Sequence, residues 1–168
     1  MKKNTRMITH GAMLAALYAA LCYLQNALIP NSANWMIQFR AAEALCVLSL
    51  FTPAAIPGLT LGCLAYNLSF AGALPLDFLV GSLATALATA AMWLLRRVKI
   101  KGYPLPAMTM PALFNAVLVG WELELYIGGG FWINAAYIAI GEIAVLFTLG
   151  TVVYYSMNKP RLSRIFAD

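Results

Sequence analysis

The chain has 168 residues, of which 62% are hydrophobic and only 10% charged, with a mean hydropathy of +0.79. An ordinary soluble domain carries about a quarter charged residues, so this composition excludes a water-soluble globule and points to a single transmembrane domain over residues 1–168. The formal charge of +5 does not imply nucleic acid, because the basic residues gather where apolar stretches end.

Each bilayer crossing needs roughly 20 predominantly apolar residues, which divides the chain into six predicted helices. The first runs from about Ile8 to Ile29 behind a short basic lead, Met1 to Arg6, and is too long for the apolar core of a cleaved signal. It closes at Pro30 and the polar turn Asn31, Ser32, Asn34. The second starts between Asn34 and Arg40 and ends at Thr52-Pro53; its apolar part is short, so a full span requires a start near Asn34. The third covers about Ala54 to Ala71, with Pro57 in its first turn, where a missing N–H costs little. Gly72 to Pro75 forms a turn, and the fourth helix runs from about Leu76 to Leu95 into the basic stretch Arg96, Arg97, Lys99, Lys101. The fifth occupies about Pro104 to Tyr126, Gly128-Gly129-Gly130 turns the chain, and the sixth runs from Phe131 to Met157 before the tail Lys159, Arg161, Arg164.

Six helices put both termini on one side. With that side cytoplasmic, Lys2, Lys3, Arg6, the four basic residues after helix four and the three of the tail obey the positive-inside rule, ten of the eleven Lys and Arg. The expectation is an all-α integral membrane protein with six transmembrane helices in the cell membrane, both termini cytoplasmic. Arg40 is the exception, on the outer side.

The acidic residues fall toward that outer side. Glu43 is one turn into helix two, Asp77 begins helix four, Glu122 and Glu124 lie in the last turns of helix five, and Glu142 is deepest, about eleven residues into helix six. Asn67 sits in the outer half of helix three and Asn115 near the middle of helix five. A charged side chain at the centre of a membrane helix costs about 2.5 to 3.5 kcal/mol on insertion scales, and such residues pair or line cavities. Arg40 and Glu43 share a helix face, as do Asn115 and Glu122; Glu122 and Glu124 are about 200° apart, so Glu122 is assigned inward and Glu124 to the outer surface. Alternatives stay open: an ion pair internal to helix two for Arg40 and Glu43, a headgroup anchor for Asp77, and interhelical hydrogen bonding for Asn67 and Asn115. Trp35, Trp132 and Tyr126 read as an interfacial aromatic belt. Trp121, a turn deeper, is either a stacking surface for a planar ligand or packing, and His10 is an interface residue without an assigned role.

Helix one carries Ala12, Ala16, Ala20 at four-residue spacing and, beside them, Gly11, Ala15, Ala19. Such faces permit close helix contact in lipid, either within the bundle or against a separate membrane subunit. Cys22, Cys46 and Cys63 lack metal-ligand spacing and read as small buried apolar residues. There is no GxxxxGK[ST] phosphate loop, nucleophile elbow or metal set, so neither enzymatic activity nor a cofactor is expected; ATP hydrolysis, if it powers transport, belongs to another chain.

Five polar-containing segments, FRAAEAL (Phe39 to Leu45), GLTLGCLAYNL (Gly58 to Leu68), LDFLVGSLATALA (Leu76 to Ala88), NAVLVGWEL (Asn115 to Leu123) and IGEIAVL (Ile140 to Leu146), resemble the substrate-binding S components of energy-coupling factor (ECF) transporters, and within them the queuosine-precursor group QueT. The resemblance covers nearly the whole chain. It implies capture of a 7-deazaguanine base such as queuine or an earlier pre-queuosine base, by a site drawn from Arg40, Glu43, Asn67, Asp77, Asn115, Trp121, Glu122 and Glu142. It further implies docking through Ala12, Ala16 and Ala20 on a transmembrane coupling protein that carries two ATPase subunits. A carboxylate can accept the adjacent N–H and exocyclic amine of such a base together, which suits Glu122 or Glu142; Arg40, Asn115 or Asn67 could donate to its carbonyl, and an aminomethyl substituent would favour a second carboxylate such as Glu43. The competing readings are a carrier for another solute, with the carboxylates relaying protons, and an assembly subunit whose polar residues only join helices.

Overall fold

Apolar runs bounded by Pro, Gly and basic clusters become helices throughout the computed structural model, which describes residues 3–30, 38–70, 72–160 and 162. Helix α1 is Lys3–Leu28, followed by a 3₁₀ helix, Ala41–Leu50. Then come α2 (Ala55–Ser69), α3 (Asp77–Leu95), α4 (Leu105–Met108), α5 (Met110–Tyr126) and α6 (Phe131–Val145). A π turn, Leu146–Gly150, joins α6 to α7 (Thr151–Met157). No strand occurs among the described residues.

Among the described residues, three helices are long and apolar enough to cross a membrane: Asn4–Leu28, Asp77–Leu95 and the continuous Phe131–Met157. Helices α2 and α5, at 15 and 17 residues, fall short of the roughly 20 a straight crossing uses. The expected second helix departs most from expectation. It is a ten-residue 3₁₀ helix beginning at Ala41, and a start near Asn34, like the turn Asn31, Ser32, Asn34, falls outside the described residues, as do Trp35, Lys2, Arg161 and Arg164. Runs of 3₁₀ helix beyond three or four residues are uncommon. Here Ala42 to Ser49 are all buried, and the segment touches α1, α2, α3, α6, the π turn and α7. It is the axis around which α1, α2, α3, α6 and α7 pack, which is why it is apolar but for Glu43 and Ser49.

The expected fifth helix is broken. Pro111 has no N–H to give the carbonyl of Ala107, so the chain pauses at Thr109 between α4 and α5. Around the axis, α1 packs on α2, α2 on α3, α3 on α5 and α5 on α6. The α1–α2 contact is backbone to backbone: a Cβ built at Gly58 would lie 2.6 Å from the carbonyl oxygen of Gly11, and one at Gly62 would lie 2.6 Å from that of Ala15. Gly11 and Ala15 are therefore spent inside the bundle, whereas Ala12, Ala16 and Ala20, about 100° further round α1, are exposed. The two small-residue ladders of the sequence have different surroundings.

Candidate functional site

The polar residues collect around Arg40, the N-terminal flank of the 3₁₀ helix. Glu43 follows in its first turn, and Asp77 sits in the first turn of α3. Glu122 comes from the end of α5, Asn115 from two turns earlier on the same buried face, and Glu142 from α6. Glu142 gets there because its neighbour is a glycine: any side chain at Gly141 would collide with the backbone of Gln38, so only glycine lets α6 come this close to the start of the 3₁₀ helix. Arg40 interacts electrostatically with Asp77 and Glu43, Glu122 with Asp77 and Arg40, and Glu142 with Glu43 and Arg40. Four carboxyl groups thus share one guanidinium.

Their hydrogen bonds divide them. Glu43 is fully engaged: Tyr18 donates its hydroxyl to Oε1 at 2.5 Å and the Cys46 thiol points to Oε2 at 3.1 Å. Asp77 accepts the backbone N–H of Leu74 at 2.6 Å through Oδ2, an anchoring role for a residue at a helix start. Asn67 gives its amide to the carbonyl oxygen of Asp77 at 3.0 Å and toward Cys63 Sγ at 3.5 Å, which joins α2 to α3. Asn115 donates to Glu142 Oε1 at 3.1 Å. That leaves Glu142 Oε2, Asn115 Oδ1 and both oxygens of Glu122 buried without a hydrogen-bond partner among the described residues; Glu122 is 0% and Glu142 1% exposed. Buried polar atoms are overwhelmingly partnered in native proteins. Four orphans in one cluster, all of them acceptors, mark a place built for something else.

Trp121 does not join them. It is 50% exposed, about 100° around α5 from Glu122, so its ring faces away from the cluster and the stacking expectation is corrected. Glu124 is exposed as expected and does more than decorate the surface: it accepts the backbone N–H of Gly130 at 2.7 Å and ties the glycine turn to the end of α5. Trp132 and Tyr126 are exposed near that turn. Cys46 and Cys63 are buried, and Cys22 is half-buried.

Sequence reasoning passed over Tyr18 and Gln25. Gln25 donates to the carbonyl of Phe39 and accepts the N–H of Ala41 at 2.7 Å, so one amide of α1 holds both sides of Arg40. The available signal was polarity itself, since these are hydrogen-bonding side chains inside an otherwise apolar helix. Tyr18, Cys22, Gln25, Arg40, Cys63, Tyr66 and Asn67 enclose a cavity of about 20 Å³, room for about one water. A ligand larger than a water enters only as these side chains part.

Residues 8–159 match the family described as QueT transporter. No curated protein and no solved structure matches the chain.

Proposed function

From the premise that the chain belongs to the QueT transporter family, we propose that it is the S component of an ATP-driven ECF importer, capturing a 7-deazaguanine base outside the cell and delivering it inward. The observation that carries this reading is the set of buried, unpartnered acceptors beside a single guanidinium. In this reading all six apolar segments lie within the bilayer of the cell membrane, with ten of eleven Lys and Arg and both termini cytoplasmic.

The hydrogen-bond inventory narrows the base's partners. Glu142 Oε2 and Asn115 Oδ1 are adjacent free acceptors for the ring N–H and exocyclic amine. Arg40 is the donor for the ring carbonyl, because Asn67 and Asn115 already donate elsewhere. Tyr66, which lines the cavity and stacks on Phe70 at 5.2 Å between centroids, replaces Trp121 as the aromatic wall. Glu43, held by Tyr18 and Cys46, supports Arg40 rather than the ligand, and Asp77 and Asn67 shape the same wall.

The purified chain should bind a deazaguanine with submicromolar affinity, and Glu142→Gln should weaken binding at least tenfold in titration calorimetry. Normal binding by that variant would remove Glu142 from the site. Uptake driven by a pH gradient, with no deazaguanine bound, would favour a proton-coupled carrier instead.

The exposed Ala12, Ala16, Ala20 face is the proposed docking surface for the coupling protein, which brings the two ATPase subunits. Ala16→Trp should abolish co-purification with those subunits while leaving ligand affinity within about twofold, since the side chain points away from Tyr18 and the cavity. Unchanged assembly would remove this face from the account.

A further inference from the structure

Between α3 and α4 the chain reverses in a two-residue hairpin turn: Ile100 and Tyr103 exchange both backbone hydrogen bonds, at 2.8 and 3.0 Å, around Lys101 and Gly102. The φ values of 50° at Lys101 and 82° at Gly102 are those of a type I′ turn, which favours asparagine or glycine at its centre. Lys101 is the one non-glycine at positive φ among the described residues, in a region where a Cβ crowds the backbone. Strain of this kind points to a residue kept for what it touches. The turn is anchored on one side and open on the other. Tyr103 shares a hydrogen bond with Thr151 at 2.7 Å and its ring lies among Phe147, Tyr154 and Tyr155, whereas a Cβ at Gly102 would meet nothing within 4 Å. Directly paired residues share a face of a hairpin, so Ile100 stands beside Tyr103 on the bundle side; it and Val98 are both exposed. Arg97, Lys99 and Lys101 are exposed too, and no carboxylate among the described residues pairs with them. Arg96 is already committed, since it donates to the Trp93 carbonyl at 2.6 Å and lies 3.6 Å over that ring.

We infer that this hairpin is an attachment point for an anionic phospholipid, with Val98 and Ile100 against the acyl region and Lys99 and Lys101 on the headgroup phosphate. The inference goes beyond the ligand reading and needs only the placement of α3 in a bilayer. Asp77–Leu95 is long and apolar enough to span, so the residues just after it lie where hydrocarbon gives way to headgroups. Each ammonium is a compact point charge with three donors, a good partner for phosphate oxygens. A free phosphate would use the lysines and gain nothing from Val98 and Ile100. A lipid uses both. The closed turn holds the two ammonium groups on a frame fixed to α7 through Tyr103, and a lysine near an anionic surface strengthens attachment by about fivefold.

The test uses the purified full chain, stripped of lipid in a neutral detergent and offered equal amounts of phosphatidylglycerol and phosphatidylcholine with identical acyl chains. Native mass spectrometry reads which lipid stays bound. Wild type should retain phosphatidylglycerol at least threefold over phosphatidylcholine; equal retention would overturn the proposal. Lys101→Asn, which suits the turn, should lower that preference at least twofold without lowering the unfolding temperature, and an unchanged preference would overturn the proposal, the more so if the same variant lost its ATPase partners, which would assign the hairpin to a protein. Lys99→Gln should act in the same direction and carries the test if Lys101→Asn does not elute as a single species. Lys159→Gln, one charge lost beyond the end of α7, should leave the preference nearly unchanged; a loss equal to that of Lys101→Asn would mean diffuse attraction to a basic surface and no hairpin site. Glycerol phosphate should fail to displace the bound lipid, and displacement would show a site for free anions instead.

Discussion

Arg40→Ala should abolish deazaguanine binding and lower the thermal stability of the detergent-purified chain by an amount equivalent to about 3–5 kcal/mol, the cost of removing one partner from a buried charge cluster. The effect is large because no other guanidinium or ammonium among the described residues interacts with Asp77, Glu122, Glu43 and Glu142 as a group. Arg40→Lys should recover part of the stability and little of the binding. A single ammonium supplies charge but lacks the planar fork that can serve a carboxylate and a ring carbonyl together. Scanning fluorimetry beside ligand titration separates the two losses; a stable Arg40→Ala protein with normal affinity would show that the guanidinium is neither structural nor ligand-binding.

Gly62→Val should prevent recovery of a monodisperse protein, or lower its stability by about 3 kcal/mol or more, the upper end for overpacking a tight contact. A Cβ there would lie 2.6 Å from the carbonyl oxygen of Ala15, 2.8 Å from Cβ of Tyr18 and 3.0 Å from Cα of Ala15. Two of these are backbone atoms, which cannot rotate away. The damage should reach the site, since pushing α1 outward lengthens the Tyr18 bond to Glu43. Size-exclusion profiles and thermal unfolding measure it; a Gly62→Val protein as stable as wild type would mean that α1 and α2 have room to separate.

Legibility of the sequence followed the physics of each signal. The helices at Phe131 to Met157 and Leu76 to Leu95 were readable because long apolar runs end at glycines, at a proline or at Arg96 and Arg97. The 3₁₀ character of Ala41–Leu50 was not, because a segment apolar on every side carries no period to distinguish three residues per turn from 3.6. Glu122, Glu142, Asn115 and Arg40 were found by their cost in an apolar chain. Which of their atoms are occupied was hidden, since the partner of Glu43 is Tyr18, 25 positions away. Trp121 was misplaced for a simpler reason: adjacent residues on a helix diverge by about 100°, so nearness to Glu122 in sequence argued against a shared pocket.

The 3₁₀ axis also fixes a phase. Ten residues rise about 20 Å in this form, against about 15 Å as an α-helix, and each turns the chain by about 120°. One residue inserted between Glu43 and Pro53 would swing Arg40 and Glu43 a third of a turn away from Asp77 and Glu142 while leaving composition and hydropathy nearly untouched. Substitutions that respect volume can be absorbed along Ala42 to Ser49; a change of length cannot, unless it comes in threes and the surrounding helices slide by about 6 Å to follow. The segment behaves as a gear tooth, and its count of residues holds the charges in register.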